Sequence, residues 1–173
     1  MNKPKIYVAM DASKDLKYYE EFKQMVSAKS EYSFYDGIDY FKELDKTPDD
    51  VLKLKIQKNL ERADIIVILL TKTLKSMRRF SKWQVEHAIK IGKPIIAINP
   101  NRIRSVDYDV CPTILKTHLS LHIPYDALAF DVAVRNWPES HYEHMKNEKD
   151  QRKIYKYAES VYKQIFQEEE EGE

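Results

Sequence analysis

The sequence predicts an α/β fold: a flavodoxin-like, doubly wound parallel sheet of about five strands in the order 2-1-3-4-5, followed by an extra C-terminal helix. Two apolar runs, at 65–70 and 94–98, are short, rich in β-branched residues and bounded by polar or turn residues, as strands buried on both faces are. Between them a polar loop leads into a helical pattern that ends at Gly92, with Pro94 behind it; glycine just past a helix and proline beyond it are stop signals. Strand, loop, helix, strand is a βαβ unit, and its crossover is right-handed. The same alternation recurs on either side of this unit.

In chain order, residues 5–10 (KIYVAM) form the first strand. Asp11 or Ser13 caps a helix over about 13–28, with Leu16, Tyr19, Phe22, Lys23 and Val26 on its inward stripe. Residues 30–37 (SEYSFYDG) are a shorter strand closed by Asp-Gly, which puts Asp36 at a strand's carboxyl end; a plain turn aspartate is the alternative. Residues 38–48 are a loop long enough to cover a site. Pro48 then opens a helix to about Arg62, with Asp49 and Asp50 at the positive end of its dipole and Val51, Leu54, Ile56 and Leu60 apolar. After the third strand comes a polar loop over 71–78.

The helix ending at Gly92 is read at ~100° per residue. Phe80, Trp83, His87 and Ile91 share a stripe toward the sheet, with Gln84 inside it and Ala88 on its border. Lys82, Glu86 and Lys90 lie opposite at i, i+4 spacing, so Glu86 is a solvated residue between two lysines. Gln84 is the polar exception: it faces inward near a strand's carboxyl end, where open α/β sheets bind ligands. The alternative is that it satisfies a backbone group in a loop. Beyond the fourth strand, 99–109 is a polar loop, 111–117 a short helix and 119–123 a fifth strand stopped by Pro124. Residues 125–137 fit either a helix or a strand pair. Residues 139–150 read as solvated surface; His141 and His144 lack a third ligand at sensible spacing, so no metal site is expected. Residues 150–167 read as a final amphipathic helix with Ile154, Tyr157, Ala158, Val161, Ile165 and Phe166 apolar, and the acidic tail as frayed.

At 173 residues the chain reads as one domain, with its core at about 4–124 and a helical extension at about 139–168. A net charge of +1 gives no electrostatic basis for binding nucleic acid or a membrane surface. The apolar runs are too short to span a bilayer, and the amino terminus lacks a signal-peptide core. A single cysteine, Cys111, excludes an internal disulfide and suits the cytoplasm. CxxC, HExxH and GxxxxGK[ST] do not occur, and three glycines are too few for a Gly-rich dinucleotide fingerprint. No tightly bound cofactor is expected. Strand ends and the inward amide mark a candidate pocket at Met10, Asp11, Asp36 and Gln84, with Asn99 at the end of the fourth strand. The aromatic residues Tyr35, Tyr40, Phe41 and Trp83 can supply a dry, stacked surround, or simply pack the core.

Four segments in this order, KIYVAMDASKD, SFYDG, ERADIIVILLTKT and RRFSKWQVEHAIKIGKPIIAI, resemble the ThsB-type TIR-like sensor domain of the Thoeris antiphage defence system. The resemblance covers about residues 4–100. It implies NAD as a substrate, cleavage of the nicotinamide–ribose bond, and an ADP-ribose-derived signal, cyclic or conjugated, that diffuses to a separate effector protein. Self-association is implied as well. It also places the family's catalytic glutamate at position 84, where this sequence has Gln84. Two readings of that departure stand: a naturally inactive chain, or a Glu→Gln exchange of the kind that traps substrate. A non-catalytic TIR-like interaction module is the alternative to an enzyme.

Overall fold

The structure, a computed structural model, describes residues 3–27, 32–36, 46–76 and 79–170. Tyr40, Phe41 and most of the loop expected to cover a site lie outside the described residues. The elements are β1 (Lys5–Ala9), α1 (Ala12–Ser27), β2 (Ser33–Asp36), α2 (Asp49–Arg62), β3 (Ile65–Leu69), a one-turn α3 (Lys72–Lys75), α4 (Arg79–Lys90), β4 (Ile95–Asn99), a 3-10 turn (Thr113–Thr117), β5 (Ser120–Pro124), α5 (Ala127–Met145), β6 (Ile154–Lys156) and α6 (Glu159–Glu170). The strands form one parallel sheet in the order β2-β1-β3-β4-β5-β6.

Period-two alternation divides the core between the two faces of the sheet. Ile6, Val8, Val67, Leu69, Ile96, Ile98, Leu121 and Ile123 pack against Tyr19, Phe22 and Val26 of α1 and Phe130, Ala133 and Trp137 of α5. Tyr7, Ala9, Ile66, Ile68, Ile95 and Ala97 pack on the other face against Ile56 and Leu60 of α2, Val85 and Ala88 of α4, and Cys111 and Leu115. Both faces of β3 and β4 are therefore covered, which is why those strands read as unbroken apolar runs. Each fully buried Ile, Val or Leu contributes ~1.5–3 kcal/mol relative to exposure. Gly92 has φ 63°, the left-handed conformation that ends α4.

Several expectations need correction. The 71–78 segment holds the short helix α3, because Thr71 Oγ1 accepts the Leu74 N–H and caps a turn there. On α1, Leu16 is 36% exposed and Asp15 takes an inward place instead. On α2, Val51 and Leu54 are exposed and Leu52 is buried. The buried arc of α4 is Ser81, Gln84, Val85, His87 and Ala88, rotated from the expected stripe; Phe80, Trp83 and Ile91 are only half-buried. The rotation follows from packing: α4 meets α2 as well as the sheet, and Lys53 of α2 lies over the Trp83 ring. Residues 125–137 are wholly helical, and α5 continues through Pro138 to Met145. That continuation turns His141 inward to 2% exposure, against the expected solvated surface. Finally, Ile154–Lys156 is a sixth strand, paired with β5 through Ser120↔Ile154 and His122↔Lys156. A free edge on β5 accepts such a partner, and that non-local pairing overrides the helical spacing of 154–158.

Candidate functional site

Gln84 projects from the middle of α4 toward β1 and is 1% exposed. Its Nε2 donates to the Met10 carbonyl (3.0 Å) and the Phe80 carbonyl (3.3 Å). Its Oε1 accepts from the Tyr7 hydroxyl (3.0 Å). Backbone carbonyls only accept, so the amide's NH2 end must face them. The side chain thus ties α4 to the carboxyl end of β1, and it satisfies backbone groups in doing so. Each bond contributes ~1 kcal/mol, and a partner left unmade in the interior costs ~1–3 kcal/mol.

On the other face of β1, Asp11 caps α1: its Oδ1 accepts the Ser13 N–H (3.1 Å) and the Ser13 hydroxyl (2.5 Å). One turn on, Asp15 is 1% exposed, and its Oδ2 accepts the Thr71 hydroxyl (2.7 Å) and the Asp11 N–H (3.3 Å). This bridge links the exits of β1 and β3, the point where the strand order reverses. Burial raises the Asp15 pKa above the usual carboxylate value, and the hydrogen bonds from Thr71 and Asp11 oppose the shift. Above the bridge opens a cleft of about 550 Å³, walled by Lys14 and Tyr18 of α1, Thr71–Thr73, Pro100 and Asn101, with Asp107 and Asp109 also on its wall.

The predicted residues do not converge on one point. Gln84 and Met10 meet directly, and Met10 is buried. Asp36 ends β2 opposite Val8, but its side chain lies outside the described residues. Trp83 packs edge-on against Phe80, 5.1 Å between centroids, on the α2 side of α4. Asn99 is fully buried and clamps its own loop: Nδ2 donates to the carbonyls of Ile103 (2.9 Å), Ser105 (2.9 Å) and Ile123 (3.3 Å). Of those whose side chains are described, none lines the large cleft. The residues missed were Asp15 and Thr71. A signal existed: Asp15 precedes Tyr19 by one helical turn on the buried stripe, and Thr71 stands where an N-cap would.

Among the described residues no cluster of three or more His, Cys, Asp or Glu is placed to hold a metal ion, and no helix is long and apolar enough to cross a membrane. A family model described as Thoeris protein ThsB, TIR-like domain, matches residues 7–105, more than half of the 173-residue chain. The chain belongs to this family. No curated protein matches it. Among solved structures, a conserved protein from Enterococcus faecalis V583 is similar at 15% identity over 96% of this chain and 99% of that one, with a TM-score of 0.43.

The matched segment of this ThsB-type TIR-like domain runs from β1 through the exit of β4, so it contains both Gln84 and the Asp15–Thr71 bridge. Within it, Gln84 suits its surroundings as an amide. An ionised carboxylate at 84 would set negative charge against the carbonyl oxygens of Met10 and Phe80, with the Tyr7 hydroxyl as the side-chain donor among the described residues to offset it.

Proposed function

We propose that this Thoeris TIR-like domain is a cytoplasmic enzyme that takes NAD into the cleft at the carboxyl edge of its sheet. It cleaves the nicotinamide–ribose bond and passes on an ADP-ribose-derived signal. The observation that carries this is the position and chemistry of the cleft: about 550 Å³ at the strand-order reversal, with Lys14 and Lys72 on its wall to meet a diphosphate. The Tyr18 ring on the same wall suits stacking of a base. Departure of nicotinamide leaves oxocarbenium character on the ribose, which a nearby carboxylate stabilises. Gln84 neither lines this cleft nor carries charge, and Asp15 on the cleft wall is engaged by the Thr71 hydroxyl and the Asp11 N–H, so the expected turnover is slow, by ~10²-fold or more relative to a site with its electrostatic stabiliser in place.

A specific observation favours a second reading. Both amide donors of Gln84 are spent on the Met10 and Phe80 carbonyls and its oxygen accepts from Tyr7, as suits a non-catalytic module that signals by assembly. One experiment separates the two. The protein is incubated with NAD, and nicotinamide release and nucleotide binding are followed together, with Lys14→Ala/Lys72→Ala as control. The enzyme reading expects saturable binding, weakened by the double substitution, with slow release. Absence of both binding and release in a protein that self-associates without nucleotide would overturn it in favour of the module.

A further inference from the structure

The loop leaving β4 supplies one wall of the large cleft, through Pro100, Asn101, Asp107 and Asp109. It is braced within itself. Asn101 Nδ2 donates to the Asp107 carboxylate, Asn101 Oδ1 accepts the Ile103 N–H (3.3 Å), and Asp107 Oδ1 accepts the Asp109 N–H (3.0 Å). Asn99 Nδ2 holds the carbonyls on either side of Arg104, those of Ile103 and Ser105. A loop braced in this way moves as a unit, so its place is set by what grips it from outside. Lys75 of α3 grips the Asp109 carbonyl, and Lys116 grips that of Tyr108 (3.0 Å). Another grip comes from much further along the chain.

Arg104 reaches from the loop to α6. Its guanidinium pairs with Glu159 and lies over two rings of the same helix, 4.8 Å from the centroid of Tyr162 and 5.1 Å from that of Phe166. Glu159, Tyr162 and Phe166 stand at i, i+3 and i+7, so they share one stripe of α6. The two rings are stacked with 18° between their planes, and Tyr162 is fully buried. The Glu159 side chain is 63% exposed, so the ion pair alone contributes little. The flat contact between guanidinium and rings fixes the geometry. The helix itself is seated on α5, where Tyr162 and Ile165 pack with Ala129. All of these partners lie beyond residue 105, where the family match ends.

We propose that Arg104 is a positioning residue for the cleft. Through it α6, an element outside the matched segment, holds the wall formed by the loop and so sets how tightly the cleft takes a nucleotide. Coupling of this kind is reciprocal, so an occupied cleft steadies α6 in return. The nucleotide half rests on the function proposed above; the tie between loop and helix does not.

The test uses the full chain as parent, Arg104→Ala and Arg104→Lys, with amide hydrogen exchange and NAD titration. Arg104→Ala should speed exchange at the bonded loop amides of Arg102, Ile103 and Asp109 and across α6 by about fivefold, and leave β3 unchanged. Its NAD affinity should fall about fivefold, the size of one exposed guanidinium–ring contact. Lysine keeps the charge toward Glu159 but not the plane, and should recover less than half of either effect. In the parent, saturating NAD should slow exchange across α6, and Arg104→Ala should abolish that response, which a contact serving stability alone would not produce. An Arg104→Ala protein that binds NAD as the parent does, or whose loop exchange is unchanged, overturns the proposal. A parent that binds no NAD overturns the nucleotide half together with that reading of the cleft, while loop exchange still decides whether Arg104 holds the wall.

Discussion

Two buried polar side chains flank the carboxyl end of β1 on opposite faces, and they solve the same problem with different chemistry. Gln84, from α4, holds the β1 exit with a neutral amide whose donors meet carbonyls and whose acceptor meets a hydroxyl. Asp15, from α1, joins the exits of β1 and β3 with a carboxylate that only accepts. The amide needs no counter-charge and does not titrate. The carboxylate sits beside an open cleft walled by two lysines, and burial raises its proton affinity. The contrast separates a structural tie from a chemically responsive group.

The sharpest way to break this contrast is to give Gln84 a charge. Gln84→Glu would bury a carboxyl group against two carbonyl oxygens, with ~3–5 kcal/mol destabilisation expected at neutral pH. Its folded pKa must lie above the unfolded value of ~4.3. The folded variant then binds more protons than the unfolded one, so its deficit is smallest below ~pH 4.3 and grows as pH rises through the folded pKa. Urea unfolding at several pH values checks this; a variant as stable as the parent at pH 7 would mean that position 84 was built for a glutamate. Gln84→Leu removes the side-chain bonds to Tyr7 Oη and to the Met10 and Phe80 carbonyls, with a loss of ~2–3 kcal/mol that does not vary with pH. Thr71→Val removes the α3 cap and the hydroxyl bonded to Asp15, for a loss of ~1–2 kcal/mol in the same assay.

Asp15→Asn has the smallest expected effect and is the most diagnostic of the carboxylate. The folded pKa of Asp15 is raised, so the stability tied to its proton is present below the unfolded value and lost as pH rises through the folded one. The asparagine variant does not titrate. Its thermal midpoint relative to the parent should therefore improve from pH 3 to pH 7. A gap that stays flat would place Asp15 in ordinary contact with solvent.

Most of the fold was legible in the sequence wherever a strand is covered on both faces. IIVIL and IIAIN can only be interior strands of a wound sheet, and Gly92 with Pro94 marks the end of α4. Legibility fell where a partner distant in sequence decides the outcome. Ile154–Lys156 is a strand because β5 offers an edge, and His141 turns inward because α5 runs through Pro138 without stopping. The inward amide at 84 was visible from helical spacing. What it bonds was not, because Tyr7 and Met10 lie far upstream. Asp15 escaped notice because a carboxylate on a Lys- and Glu-rich helix looks like part of a solvated face; only the approach of Thr71 makes it interior.

An NAD titration followed in the 15N–1H spectrum tests most directly whether the nucleotide enters the cleft while Gln84 stays an interior tie. The backbone signals of Lys14, Thr71, Lys72 and Asn101 should shift together and saturate, while the Gln84 side-chain NH2 signals hold their positions. Movement of the Gln84 and Met10 signals with the cleft residues unmoved would contradict the account and return the chemistry to position 84.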